Sequence, residues 1–216
     1  MPNAILESVK DFNTITIFRH VFADMDAIGS QFGLKYYLES AYPDKKIYCL
    51  GSNCPVSQRN NVTMDEVDDD VVASSLAIVL DTSNAARIDD ERYKFAKKSV
   101  RIDHHVQVET ICDEEWIDDK ASATCELLAL YLQENKVNIP VESALMLYLG
   151  LTADNIRFTT NNVRPATFDA AKYLFEQGVD VTKVEQLNFS KSIEDYRYET
   201  VVRNHTILKI NFFIRF

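Results

Sequence analysis

Residues Thr14–Ser30 read TITIFRHVFADMDAIGS. TITIFR (Thr14–Arg19) is rich in β-branched and aromatic residues and predicts a strand. From Ala27 to Glu39 the residues Ile28, Phe32, Leu34, Tyr36 and Leu38 fall on a helix-like pattern. Between them lies a short polar loop carrying His20, Asp24 and Asp26. Working outward, KIYCL (Lys46–Leu50), LAIVLD (Leu76–Asp81) and SVRID (Ser99–Asp103) predict further strands. The unbroken apolar run of LAIVLD suits a strand covered on both faces. A short helix is expected at Asp89–Lys97, and Cys54–Asp70, with its Pro, Asn and acidic run, as a surface loop. Strands alternating with helices imply a parallel sheet with right-handed crossovers. The middle of the chain reads as helices at Ser122–Glu134, with Ser122 as N-cap, at Pro140–Asp154, and at Pro165–Gly178. The expected fold class is α/β: a Rossmann-like, mainly parallel five-stranded sheet flanked by helices, with a helical C-terminal part.

Composition limits the chemistry. Of 216 residues, 46% are hydrophobic and 26% charged, ordinary globular usage that allows a sizeable core. The net charge of −10 excludes nucleic-acid binding through a broad basic surface, so phosphates would be handled at a local site. No apolar stretch approaches the roughly 18–20 residues of a membrane span. The opening MPNAILESVKDFN lacks a signal-peptide core, and a cytoplasmic protein is expected. Cys49, Cys54, Cys112 and Cys125 show no C-x-x-C spacing, and Cys49 and Cys125 read as buried free thiols.

The chemistry gathers at strand ends. His20, Asp24 and Asp26 follow the first strand, Asp81 ends the third, and Asp103-His104-His105 ends the fourth. Asp154 closes the second of the middle helices. The C-terminal ends of parallel strands share one edge, where ligand sites collect, so His20, Asp24, Asp26, Asp81, His104 and His105 are expected to converge. Clustered carboxylates repel one another unless a positive charge neutralises them, and few cations are at hand. A mixture of carboxylate and imidazole suits Mn²⁺, Fe²⁺, Co²⁺ or Zn²⁺ better than Ca²⁺. There are ligands enough for two ions sharing one Asp, an arrangement that can activate water against a phosphoryl group.

At these residues the chain resembles the DHH phosphoesterase superfamily. His20, Asp24, Asp26, Gly29 and Ser30 match its first motif, Asp81 its second, and Asp103-His104-His105 its third. Asp154-Asn155-Ile156-Arg157-Phe158 resembles its fourth. VFADMDAIGSQFGL and VRPATFDAAKYLFEQGVD carry a closer likeness to the branch of oligoribonucleases and pAp phosphatases. The resemblance implies a metal-dependent phosphoesterase with two Mn²⁺ ions, Fe²⁺, Co²⁺ or Mg²⁺ being alternatives. His20, Asp24 and Asp81 would hold one ion. Asp26, Asp81, His104 and Asp154 would hold the other, with Asp81 bridging and a hydroxide between the ions as nucleophile. His105 would contact the scissile phosphate or assist the leaving group. Asp103 would orient the histidines, and Arg157 would bind phosphate.

Ala23 and Val106 stand where the family favours Pro, and Asn155 and Ile156 replace Thr and Gly. Because Ile lacks glycine's access to positive φ, a different backbone path is expected there. Enzymes of this branch carry a second, glycine-rich substrate domain, and no glycine follows Gly178. Residues 1–185 are expected to form the two-metal domain, and residues 186–216 a linker and the start of a truncated second domain. In that tail, Tyr196–Arg203 reads as helix and ILKINFFIRF as strand. The apolar tail calls for a partner, either a second copy in a homodimer or the rest of such a domain. The expected substrates are short oligoribonucleotides, linear dinucleotides such as pApA, or pAp, with no long duplex and no membrane. Two alternatives stay open: a manganese-dependent pyrophosphatase or polyphosphatase, and a non-catalytic nucleotide-binding module.

Overall fold

The structure, a computed structural model, describes residues 7–190 and 193–205. The strand expected over Ile207–Phe216 lies outside the described residues. Five strands form one sheet: β1 (Thr14–Phe18), β2 (Lys46–Cys49), β3 (Leu76–Leu80), β4 (Lys98–Asp103) and β5 (Glu114–Ile117). Their order is β2-β1-β3-β4-β5, and every pairing is parallel. The α/β class expected from the strand–helix alternation is what forms. β5 is the strand the sequence hid. Its four residues, EEWI, are all half-buried at the sheet edge, so no alternation marks them.

Among the described residues, eight α-helices accompany the sheet. They are α1 (Met25–Ala41), α2 (Pro55–Arg59), α3 (Asp69–Ala73), α4 (Thr124–Glu134), α5 (Val141–Asp154), α6 (Pro165–Glu176), α7 (Val181–Phe189) and α8 (Ile193–His205). The predicted surface loop at 54–70 holds α2 and the start of α3. Helices this short carry no apolar periodicity to read, and α2 is set by its cap. At α2, Cys54 Sγ accepts from Ser57 N–H while Ser57 Oγ accepts from Cys54 N–H. The helix expected at 89–97 is a tighter 3₁₀ stretch, Glu91–Phe95.

Both faces of the sheet are covered, as the buried run of β3 requires. Ile15, Ile17, Ile78 and Ile102 pack with α1, α4, α5 and α6 in the larger core. Phe18, Ala77 and Val79 pack with Leu50, Val72, Ile88 and Tyr93 in the smaller one. The contact that matters most for the site is α1 against α5. A Cβ on Gly29 would lie 2.5 Å from the Met146 carbonyl oxygen, and one on Gly150 would strike Cys125 Sγ. These two glycines let the backbones touch, and that approach brings Asp26 of α1 toward Asp154 at the end of α5. None of the helices among the described residues is long and apolar enough to cross a membrane.

Candidate metal centre

The strand order turns at β1, whose neighbours β2 and β3 are reached by connections running in opposite directions. A crevice opens there at the carboxyl ends of β1 and β3, the usual ligand position in open parallel sheets. His20 lies two residues beyond β1, and Asp81 directly follows β3. They meet across that crevice, with His20 Nε2 3.4 Å from Asp81 Oδ2.

Local structure places each remaining group. Asp24 caps α1, accepting from Ala27 N–H at 3.0 Å, and its carboxylate lies 3.7 Å from His20 Nε2. Asp26, in the first turn of α1, is fully buried. Asp81 sits at φ +54°, a left-handed conformation that costs a non-glycine residue strain of the kind often stored at functional sites. His104 Nε2 is 3.5 Å from Asp81 Oδ1, 3.5 Å from Asp154 Oδ2 and 3.9 Å from Asp26 Oδ2. The six expected ligands thus come together, in one group of His20, Asp24 and Asp81 and another of Asp26, His104 and Asp154. Asp81 touches both through its two oxygens. His105 forms a third ligating group with Asp81 and His104.

The histidines are oriented for ligation. Nδ1 of His20 faces the Val21 carbonyl at 2.6 Å, and Nδ1 of His104 faces the Ala121 carbonyl at 3.3 Å. In each, a backbone oxygen fixes the tautomer and leaves Nε2 toward the carboxylates, the arrangement typical of metal-binding imidazoles. Buried Asp103 takes Nδ1 of His105 at 2.8 Å, while its Oδ2 has no hydrogen-bond partner. Arg157 lies outside the cluster. Its guanidinium stacks 4.4 Å from the Phe189 ring and pairs with Glu185 at 2.9 Å. With Arg59, Asn188, Ser190 and Tyr198 it lines a cleft of about 510 Å³. The expectation of a different path at Ile156 is corrected: Ile156, Arg157 and Phe158 all take left-handed φ of 47°, 57° and 64°. Arg157 N–H to Thr152 O and Phe158 N–H to Asn155 Oδ1 hold that turn without glycine.

Electrostatics describe a site in need of cations. Burial pushes the Asp26 carboxyl well above the usual range, and Asp81 beside it adds to the effect. Burial likewise lifts Asp154 to about 6. Burial also works against charging His20 and His104, but the carboxylates around them outweigh it and raise both to about 10. For Asp81 the upward push of burial is overcome by His104 and His20, which hold it below the usual range. This donor set fits metals that bind both carboxylate and imidazole.

The expected N-cap Ser122 is replaced by Ala123, whose side chain cannot cap. The first amides of α4 bond instead to Asp26: Thr124 N–H to Oδ2 at 2.7 Å and Cys125 N–H to Oδ1 at 3.0 Å. A helix start just before an apolar run was visible in the sequence. The carboxylate that caps it is 98 residues away and was not.

Residues 14–151 match the model of the DHH family, N-terminal domain. The chain belongs to the DHH family. This DHH chain is 34% identical over 218 residues to the bifunctional oligoribonuclease and PAP phosphatase NrnA of Bacillus subtilis, covering 99% of itself and 65% of that protein. It is 36% identical over 199 residues to protein MG371 of Mycoplasma genitalium, covering 91% of itself and 61% of that protein. It therefore spans about three-fifths of the length of such relatives. An exopolyphosphatase-related protein of Bacteroides fragilis shares the fold, with a TM-score of 0.86 at 22% identity over 96% of this chain and 66% of that one.

Proposed function

We propose that this DHH chain carries the metal-binding domain of a phosphoesterase that hydrolyses short oligoribonucleotides, linear dinucleotides such as pApA, or pAp. The observation that carries the reading is Asp81. Its two oxygens face two histidines, each at the centre of a separate carboxylate group. His20, Asp24 and Asp81 would hold one ion, and Asp26, Asp81, His104 and Asp154 the other, with Mn²⁺ the preferred metal. When bound, such a pair neutralises phosphate charge and lowers the pKa of a water enough for it to attack phosphorus.

The chain's own residues supply the rest. His105, with Nδ1 committed to Asp103, keeps Nε2 to hold a proton for the leaving oxygen. Its ring lies 4.4 Å from that of His104, which keeps it beside the metal ligands. Arg157, stacked on Phe189 and paired with Glu185 in a cleft with Arg59, would take a phosphate of the substrate away from the scissile one. Phe22 supports a nucleotide over an inorganic substrate. It is 96% exposed on left-handed backbone, two residues from His20 and two from Asp24, and offers a flat face to a base.

The test is Mn²⁺-dependent release of phosphate or AMP from pAp, pApA and pyrophosphate in parallel. Turnover of the nucleotides, abolished in Asp81→Ala, is the expected result. Turnover of pyrophosphate alone would move the reading to a pyrophosphatase. Metal binding with no turnover of any of them would leave a non-catalytic module.

A further inference from the structure

Five consecutive residues, Ala121–Cys125, reach three of the six proposed metal ligands, His104, Asp81 and Asp26. The Ala121 carbonyl faces His104 Nδ1 at 3.3 Å. Thr124 Oγ1 donates to Asp81 Oδ1 at 3.2 Å. The amides of Thr124 and Cys125 donate to the two oxygens of Asp26. Ser122 Oγ accepts from Asn155, the residue after Asp154. One short segment thus fixes an imidazole, the bridging carboxylate, the most buried carboxylate and the turn beyond the last one.

That segment is itself tied down at both ends. Glu126, fully buried, accepts from Ser122 N–H at 3.0 Å, Ser122 Oγ at 2.7 Å, Thr167 Oγ1 at 2.7 Å and Arg164 Nε at 2.7 Å. Arg164 also donates through its NH2 to Asp118 at 2.8 Å. Asp118 pairs with the backbone of Asp103 and Ala121. A single guanidinium at the start of α6 therefore clasps the beginning and the end of the stretch 118–126. A buried carboxylate with four donors holds one geometry, because any other leaves a charge unsatisfied.

We infer that Ala121–Cys125 is a positioning strap that sets metal affinity, with Thr124 its contact to Asp81 and Glu126–Arg164 its clasp. This inference rests on the two-metal reading above. None of Thr124, Glu126 and Arg164 is a ligand. They act by holding ligand oxygens where an ion needs them, and loss of such support commonly weakens metal binding by about 10–100-fold.

Calorimetric titration of the whole chain with Mn²⁺ tests it, alongside melting temperatures in chelator. Thr124→Val, which removes only the hydroxyl donor, should weaken Mn²⁺ binding by about tenfold, and Thr124→Ser should restore it. Glu126→Gln and Arg164→Met should weaken it in the same direction. Wild-type Mn²⁺ affinity in Thr124→Val overturns the strap, as does a Glu126→Gln chain that melts lower in chelator yet binds Mn²⁺ normally. If Glu126→Gln does not fold, the Thr124 pair decides alone. A wild-type chain that binds no Mn²⁺ overturns the two-metal reading itself, a result distinct from equal binding by wild type and variant.

Discussion

The two halves of the candidate centre are built differently. The His20–Asp24–Asp81 half has an open side. Asp24 is 57% exposed, spends one oxygen on capping its own helix, and comes from a loop. The Asp26–His104–Asp154 half is set between α1, α4 and α5: Asp26 is gripped by two helical amides with no solvent at its carboxylate, and Asp154, 30% exposed, is its more open end. An open half would exchange an ion more readily and leave room for substrate. A closed half binds with its geometry already made, and its burial must be offset by the ion it holds. The comparison teaches that a DHH centre with similar ligands on both sides need not be symmetric in energy.

The sharpest way to break it is to neutralise one carboxylate on each side. Asp154→Asn and Asp24→Asn should each cost metal affinity, on the order of 100-fold at the side altered. Their effects on the metal-free fold should differ. Asp154 titrates at about 6 in the fold because burial opposes its charge. Against about 3.9 when unfolded, its contribution is present below that value and lost as pH rises through 6. At pH 8 its charge is a cost, so Asp154→Asn should raise the melting temperature measured in chelator. Asp24 is exposed and Asn caps helices as well as Asp does, but its carboxylate also helps hold the proton on His20, so Asp24→Asn should lower that temperature slightly rather than raise it. Equal shifts in the two variants would erase the distinction.

Protons sharpen the comparison with a smaller effect. His20 and His104 hold protons up to about 10 in the metal-free fold, and both Nε2 atoms must be free of them to ligate. The open half then releases one proton from His20. The closed half releases one from His104 and more from Asp26, whose carboxyl is raised well above its usual range. Mn²⁺ affinity should rise about tenfold per pH unit between 6 and 8 at the open half, and more steeply at the closed half. Calorimetry in buffers of differing ionisation heat counts those protons directly. For the metal-free fold the sign is opposite. Both histidines bind protons more tightly folded than unfolded, so their stabilisation is complete below about 6.5 and is lost as pH climbs toward 10. Urea midpoints in chelator should fall over that range.

How much of this was legible in the sequence follows from the range of each interaction. Strands β1 to β4 announce themselves through contiguous apolar residues, and a parallel sheet gathers their ends, so His20, Asp81 and His104 could be placed together from spacing alone. α4 and α5 show through helical periodicity. What stayed hidden depends on distant partners or on very few residues. β5 is four half-buried residues with no pattern. The grip of α4 on Asp26 joins positions 98 residues apart. The left-handed turn at Ile156 runs against local preference and is held by Asn155 and Thr152. A family motif marks the ligands because metal chemistry restricts residue type. It does not mark Glu126, and although Arg164 falls in a stretch with the branch likeness, its pairing with Glu126, 38 residues away, shows only in the fold.

The smallest expected effect concerns the rim of the open half. Phe22 is a bulky residue on left-handed backbone, a conformation that costs energy and turns the ring into solvent. Its loop is pinned on either side, by Val21 N–H to the Arg87 carbonyl and by the Asp24 cap, which holds the backbone of Phe22 at the rim. Such a ring next to the exchangeable side of a phosphate site suits a stacked base. Stacking on an aromatic side chain is worth about 1–3 kcal/mol by alanine substitution, roughly 5- to 150-fold in affinity. An exposed rim position belongs at the low end. Phe22→Ala should raise KM for pApA by about fivefold with little change in kcat. Metal affinity and turnover of a base-free phosphodiester should stay at wild-type values. A matching loss on the base-free substrate would make Phe22 a support of the His20 loop instead, and the openness of that half would then serve ion exchange rather than the nucleotide.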